Sequence, residues 1–141
     1  MNQNLSEFAT GTKNAAIFKT NAPFSNQYQG NSPRWLFVCS AGLLRSPTGA
    51  AVAVKNGINA RSAGSNPNYA LIPVSANLIN WAERIVFVNE NNYLDSLDVF
   101  VGIDDLCDQI RAKSYIMNIP DVYNYNDPHL VRMFEQEFLW Y

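Results

Sequence analysis

The sequence predicts an α/β domain of three layers, a four-stranded parallel sheet with helices on both faces. Three observations predict it. Short, unbroken apolar runs recur along the chain, the pattern of strands buried on both faces. Segments of helical periodicity alternate with them. At the first junction a strand passes toward a helix through "CSAGLLRSPT", a stretch with almost nothing to pack.

The first strand is "WLFVC", residues 35–39. Ser46 is then a good N-cap and Pro47 suits a first helical position, while "TGAAVAVKN" is apolar nearly all round and stops at Gly57. "INARSAGS", residues 58–65, reads as a second strand, and "VSANLINWAE", residues 74–83, as a helix burying Leu78, Ile79 and Trp81. "RIVFVN" is the third strand. Residues 90–113 are helical in part, with a break near Val101 and Gly102. "SYIMNI" is the fourth strand, ended by Pro120. In "DPHLVRMFEQEFLWY", Leu130, Phe134 and Phe138 fall at i, i+4 and i+8, which makes an amphipathic helix closing one face.

These elements occupy residues 34–141 of a 141-residue chain, enough for one domain with a real core. Residues 1–33 are rich in Asn, Ser, Thr and Gln, carry only Glu7, Lys13 and Lys19 as charges, and show no period. We read them as an N-terminal extension, partly ordered at best. A 48% hydrophobic, 16% charged composition is that of a folding chain.

Ten basic against twelve acidic residues leave a net charge of −2, so no overall field attracts nucleic acid or an anionic membrane. The apolar runs are too short to cross a bilayer and the N-terminus lacks a signal-like pattern, so a cytoplasmic protein is expected. Two cysteines, Cys39 and Cys107, make no disulfide framework. Cys39 is expected as a free thiol, and Cys107 and the single histidine, His129, as packing and solvated residues. No metal-ligand spacing occurs, and neither metal nor cofactor is expected.

The chemistry concentrates where the first strand ends. In an open parallel sheet, ligands bind beyond the carboxyl ends of the strands, and Cys39 stands at such an end. The five residues Ser40, Ala41, Gly42, Leu43 and Leu44 are short enough to wrap as a loop whose amides converge on one point, with a helix N-terminus behind them. That is an anion cradle. Arg45 adds a planar fork matching two phosphate oxygens. Amides, helix end and guanidinium all favour a charged sulfur, and Ser46 offers it a hydroxyl. A thiolate beneath a phosphate monoester is placed for in-line attack on phosphorus.

"FVCSAGLLRSPT", with "RSAGS" at residues 61–65, "WAERIVFV" at 81–88 and "NIPDVYNYNDPHLV" at 118–131, resembles the low-molecular-weight protein tyrosine phosphatase family. Within that family it resembles more closely a small bacterial and phage-type branch of predicted protein tyrosine phosphatases. The resemblance spans about residues 35–141 and implies that fold. It implies Cys39 as nucleophile, Arg45 as phosphate and transition-state clamp, and residues 39–46 as the phosphate-binding loop. It also implies an aspartate in the loop after the last strand that protonates the leaving phenolate and then activates water. Asp121 follows Pro120 at the sheet edge shared with Cys39 and is the acid favoured here. Asp127 is the alternative, since it precedes Pro128 as in the family's Asp-Pro motif, although a helix N-cap explains it equally well. Tyr123 and Tyr125 resemble the aromatic wall that stacks on the substrate ring. Gly42 and Leu44 depart from the pattern, standing where many members carry an asparagine and a second cysteine.

The implied activity is cysteine-dependent hydrolysis of phosphotyrosine, in a protein or peptide, or of a small aryl phosphate. A monomer or weak dimer is expected. Two alternatives stand beside it: an arsenate reductase of the same fold, which needs further thiols, and a phosphate-binding module with weak turnover.

Overall fold

The sheet is built around the strand that ends in the cysteine. In the computed structural model, which describes residues 32–137, β1 (Arg34–Cys39) lies between β2 (Asn59–Gly64) and β3 (Arg84–Phe87), and β4 (Ser114–Ile116) pairs with β3. All three pairings are parallel. The proposed extension lies outside the described residues except for Ser32 and Pro33, and so does Phe138.

Both faces of β1 are buried because its residues alternate between two cores. Trp35, Phe37 and Cys39 face α1 (Arg45–Lys55) and α5 (Pro128–Glu137), packing with Ala53, Leu130 and Phe134. Leu36 and Val38 face the other way, toward Ile79 and Trp81 of α2 (Ala76–Trp81) and Leu106 and Ile110 of α4 (Asp104–Lys113). The helix α3 (Glu90–Val99) precedes α4, and the expected break between them falls at residues 100–103, where Gly102 adopts φ +88°.

Small residues set the layer spacing. A Cβ on Gly49 of α1 would lie 2.7 Å from atoms of Phe37 and Phe134, so only glycine lets α1 sit this low on the sheet. Those two rings meet edge to face, with centroids 5.9 Å apart and planes at 78°.

The strand order β2-β1-β3-β4 reverses direction beside β1, which puts a topological switch point at the carboxyl end of β1. The register aligns Cys39 with Gly64 and Val38 with Phe87 there. The expected fourth strand extends to residue 119, but the ladder ends at Ile116. Beyond it, Met117 N–H donates to Phe87 O at 2.8 Å and Ile119 N–H to Val88 O at 2.8 Å, so the chain still tracks β3 to the same edge.

Candidate active site

Cys39 is the last residue of β1 and 3% exposed. The chain then turns through residues 40–44 into α1. Gly42 makes the turn possible: it adopts φ +75°, and a Cβ there would lie 2.9 Å from the backbone of Ala63 and Gly64. The turn aims the Gly42 N–H at Cys39 Sγ, 3.2 Å away.

The helix begins two residues earlier than expected. Leu44, not Ser46, is the N-cap, and no side chain caps it. Ser46 lies inside the first turn with its Oγ 3.0 Å from Cys39 Sγ and 3.4 Å from Ala63 O; it donates to the carbonyl when the sulfur keeps its own proton, and its one proton is free to turn to a thiolate. The hydroxyl serves the sulfur and a strand carbonyl, and Pro47 accordingly stands third in the helix. With no side chain occupying them, the first-turn amides of α1 remain suited to an anion. Thr48 secures the loop's far end, its Oγ1 donating to Leu44 O at 2.8 Å and accepting from Asn126 N–H at 2.8 Å.

Arg45 is 4% exposed, and a buried guanidinium needs partners. Its Nη1 donates to Ile119 O at 2.9 Å, and its Nε lies 3.5 Å from Asp121 Oδ1. Arg45 and Asp121 thus meet, from α1 and the segment after β4, at the end of the loop that leaves Cys39. Asp127 is engaged elsewhere: its Oδ1 accepts from His129 N–H at 2.8 Å and its carbonyl accepts from Val131 N–H at 2.9 Å, the geometry of an N-cap on α5.

The two tyrosines separate. Tyr123 is partly buried against the α1/α5 core and stacks on His129, with centroids 5.6 Å apart, whereas Tyr125 is 54% exposed. Leu43 and Leu44, within the loop, are also exposed.

Two serines and an asparagine complete the site. Asn92, in the first turn of α3, donates through Nδ2 to Ser40 Oγ at 3.1 Å and Ser65 Oγ at 3.2 Å. Sequence reasoning passed over Asn92 and Ser65. The only signal for Asn92 was its spacing of four from Ser96, two small polar residues on the same helical face. Among the described residues, no group of three or more His, Cys, Asp or Glu side chains is disposed to hold a metal ion.

The fold has counterparts among solved structures. The chain is similar to Wzb of Vibrio vulnificus in complex with benzylphosphonate (TM-score 0.54, 16% identity, covering 74% of this chain and 90% of that one). It is similar to the YwlE arginine phosphatase of Geobacillus stearothermophilus (0.52, 17%, 74% and 84%). It is also similar to a low-molecular-weight phosphotyrosine phosphatase of Vibrio cholerae O395 (0.50, 17%, 74% and 88%). The fold is that of the low-molecular-weight phosphotyrosine phosphatases. No protein-family model matches the sequence, and no curated protein does. At these identities the low-molecular-weight phosphatase fold is what the chain shares with its neighbours, and the chemistry has to be argued from its own residues.

Proposed function

We infer that this protein is a cysteine-dependent phosphatase that hydrolyses aryl phosphate monoesters, foremost phosphotyrosine in a protein or peptide. The observation that carries the reading is a buried thiol at the switch point, held between the Gly42 N–H and the Ser46 hydroxyl, with a buried arginine at the far end of the same short loop. In the first step the Cys39 thiolate attacks phosphorus in line, the bond from phosphorus to the aryl oxygen breaks, and Asp121 delivers a proton to the departing phenolate. In the second, water attacks the cysteinyl-phosphate, the Asp121 carboxylate takes its proton, and the sulfur leaves as thiolate, received by the Gly42 and Ser46 donors. Arg45 and the loop amides hold the equatorial oxygens throughout.

What supports an aryl substrate is the exposure of Leu43 and Leu44 in the loop and of Val122 and Tyr125 just after Asp121, apolar or aromatic side chains suited to a ring. Tyr125 is the better candidate for the substrate wall, because Tyr123 is already stacked on His129. An arsenate reductase is less well supported: Cys107 packs in the core between the sheet and α4, on the face opposite Cys39. Gly42 does not favour a binding module, since its amide serves the sulfur. A thiol nucleophile suits the reducing cytoplasm. Among the described residues, no helix is long and apolar enough to cross a membrane.

The test is steady-state hydrolysis of p-nitrophenyl phosphate across pH, with Cys39→Ser and Arg45→Ala as controls and phosphotyrosine and phosphoarginine peptides as competitors. Both variants are expected to be inactive and the phosphotyrosine peptide to compete better. Full activity in Cys39→Ser would sink the mechanism, and preference for phosphoarginine would reassign the substrate.

A further inference from the structure

The geometry points to Asn92 as the residue that positions the phosphate-binding loop, a role that rests on the phosphatase reading above. Residues 40–46 contain few side chains able to hold the loop in shape. Gly42 has none, Ala41, Leu43 and Leu44 are apolar, Arg45 is tied to Ile119 and Asp121, and Ser46 is committed to Cys39 and Ala63. Only the hydroxyl of Ser40, the residue next to the nucleophile, remains. Its partner comes from 52 residues away, where Asn92 Nδ2 donates to Ser40 Oγ at 3.1 Å and to Ser65 Oγ at 3.2 Å. One amide thereby joins the loop, the end of β2 and the start of α3. It reinforces a backbone seam in which Ser65 N–H donates to Cys39 O at 2.8 Å and Asn66 N–H to Ser40 O at 3.0 Å.

The arrangement is kept at a cost to stability. Asn92 is 1% exposed and Ser96 0%, and among the described residues neither Asn92 Oδ1 nor Ser96 Oγ has a hydrogen-bond partner. A buried polar atom left unpaired costs about 1–3 kcal/mol, which an apolar side chain would avoid. A half-satisfied amide facing the core is what a functional site tolerates and a purely structural position would replace. Asn92 touches neither sulfur nor substrate. It acts through Ser40, setting the turn that delivers the Gly42 amide to Cys39 Sγ.

The experiment compares the full-length protein with Asn92→Ala, Ser40→Ala and the double variant. With p-nitrophenyl phosphate, Asn92→Ala is expected to lower kcat about tenfold with KM changed less than about twofold, because a loosened loop loses transition-state contacts first. Relief of the unpaired Oδ1 offsets the two Nδ2 bonds lost, so its thermal midpoint should stay close to that of the unaltered protein. A second readout needs no turnover: protection of Cys39 from iodoacetate by orthovanadate, which takes the five-coordinate geometry of transferring phosphorus, or by inorganic phosphate. The half-protecting vanadate concentration should rise about tenfold and that of phosphate less than about twofold. The double variant should lose no more than either single one, since both break the same link.

Unchanged kcat and vanadate protection in Asn92→Ala overturn the proposal, as does a double variant whose loss is the product of the single losses. So does an activity loss accompanied by a matching fall in thermal midpoint. An unaltered protein that hydrolyses no aryl phosphate yet is protected by vanadate overturns only the enzymatic reading. The vanadate comparison then decides the role of Asn92 alone.

Discussion

Asp121 Oδ1 lies 3.5 Å from Arg45 Nε, while Nη1 of the same guanidinium is bonded to the carbonyl of Ile119, two residues before the aspartate. Arg45 therefore holds the segment that bears Asp121 through its backbone and meets the carboxylate through its side chain. The carboxylate stays 66% exposed, within reach of water, as the role of acid and then base proposed for it requires.

Asp121→Asn is expected to lower kcat for phenyl phosphate by about 10²-fold or more, in the range of general acid catalysis. The loss should be smaller for p-nitrophenyl phosphate, whose phenolate departs without a proton. Because the acid must be protonated for the first step, the variant should also lose the fall in rate toward high pH. Asp127→Ala should instead leave kcat intact and cost about 1 kcal/mol in urea unfolding, the worth of an N-cap. The reverse pattern would make Asp127 the acid.

Ser46 has two roles that kinetics can separate. Its hydroxyl stands 3.0 Å from the sulfur, so it assists the thiolate most when sulfur is the leaving group. Ser46→Ala should therefore slow hydrolysis of the cysteinyl-phosphate more than its formation. Rapid mixing with p-nitrophenyl phosphate is expected to show a burst of one p-nitrophenol per protein, followed by a steady rate about tenfold below that of the unaltered protein. A tenfold slower phase without a burst would mean that the hydroxyl acts on the first step.

Gly42 is required by its surroundings. A side chain there meets strand backbone at 2.9 Å and a left-handed φ together. Gly42→Ala should lower stability by at least about 1 kcal/mol from the backbone conformation alone, and iodoacetate labelling of Cys39 should lose its phosphate protection. Gly42→Asn, which moves the loop toward the commoner pattern, is expected to do no better. A fully active Gly42→Asn would show that the loop can move off β2.

Tyr115 links β4 to α5 by donating its hydroxyl to Glu137. That bond, with burial second, raises the phenol above the ordinary tyrosine value of 10.0. A raised value means stabilisation that is full below about pH 10 and lost as pH climbs through the folded-state value. The stability difference between the unaltered protein and Tyr115→Phe in urea should therefore be present at pH 8 and shrink above pH 10.

The strands and helices were legible because nearly every one is marked by burial: β1 is apolar from Trp35 to Cys39 since both its faces are covered there. Legibility failed where one residue answers to two demands. Ser46 before Pro47 carries a strong capping signature, but its hydroxyl is drawn to Cys39 and the helix starts without it. Asp121 is favoured over Asp127 by its place after Pro120, yet the Asp-Pro pattern speaks for Asp127, and it is the docking of Ile119 against Arg45 that sets Asp121 beside the guanidinium. Asn92 was hidden because "NENN" reads as a cap and a wet first turn. Asn89 is indeed the cap, accepting from Asn91 N–H, while Asn92 turns inward to a serine distant in sequence.

The parallel sheet also separates the two cysteines of the chain, Cys39 in the core beneath α1 and α5, Cys107 in the core beneath α4. With Leu44 in the loop, an oxidised Cys39 has no neighbouring thiol with which to close a disulfide. After peroxide the sulfenic acid passes either to a soluble thiol such as glutathione or on to the irreversible sulfinic state. Recovery of this site is therefore set by the thiol pool of its surroundings.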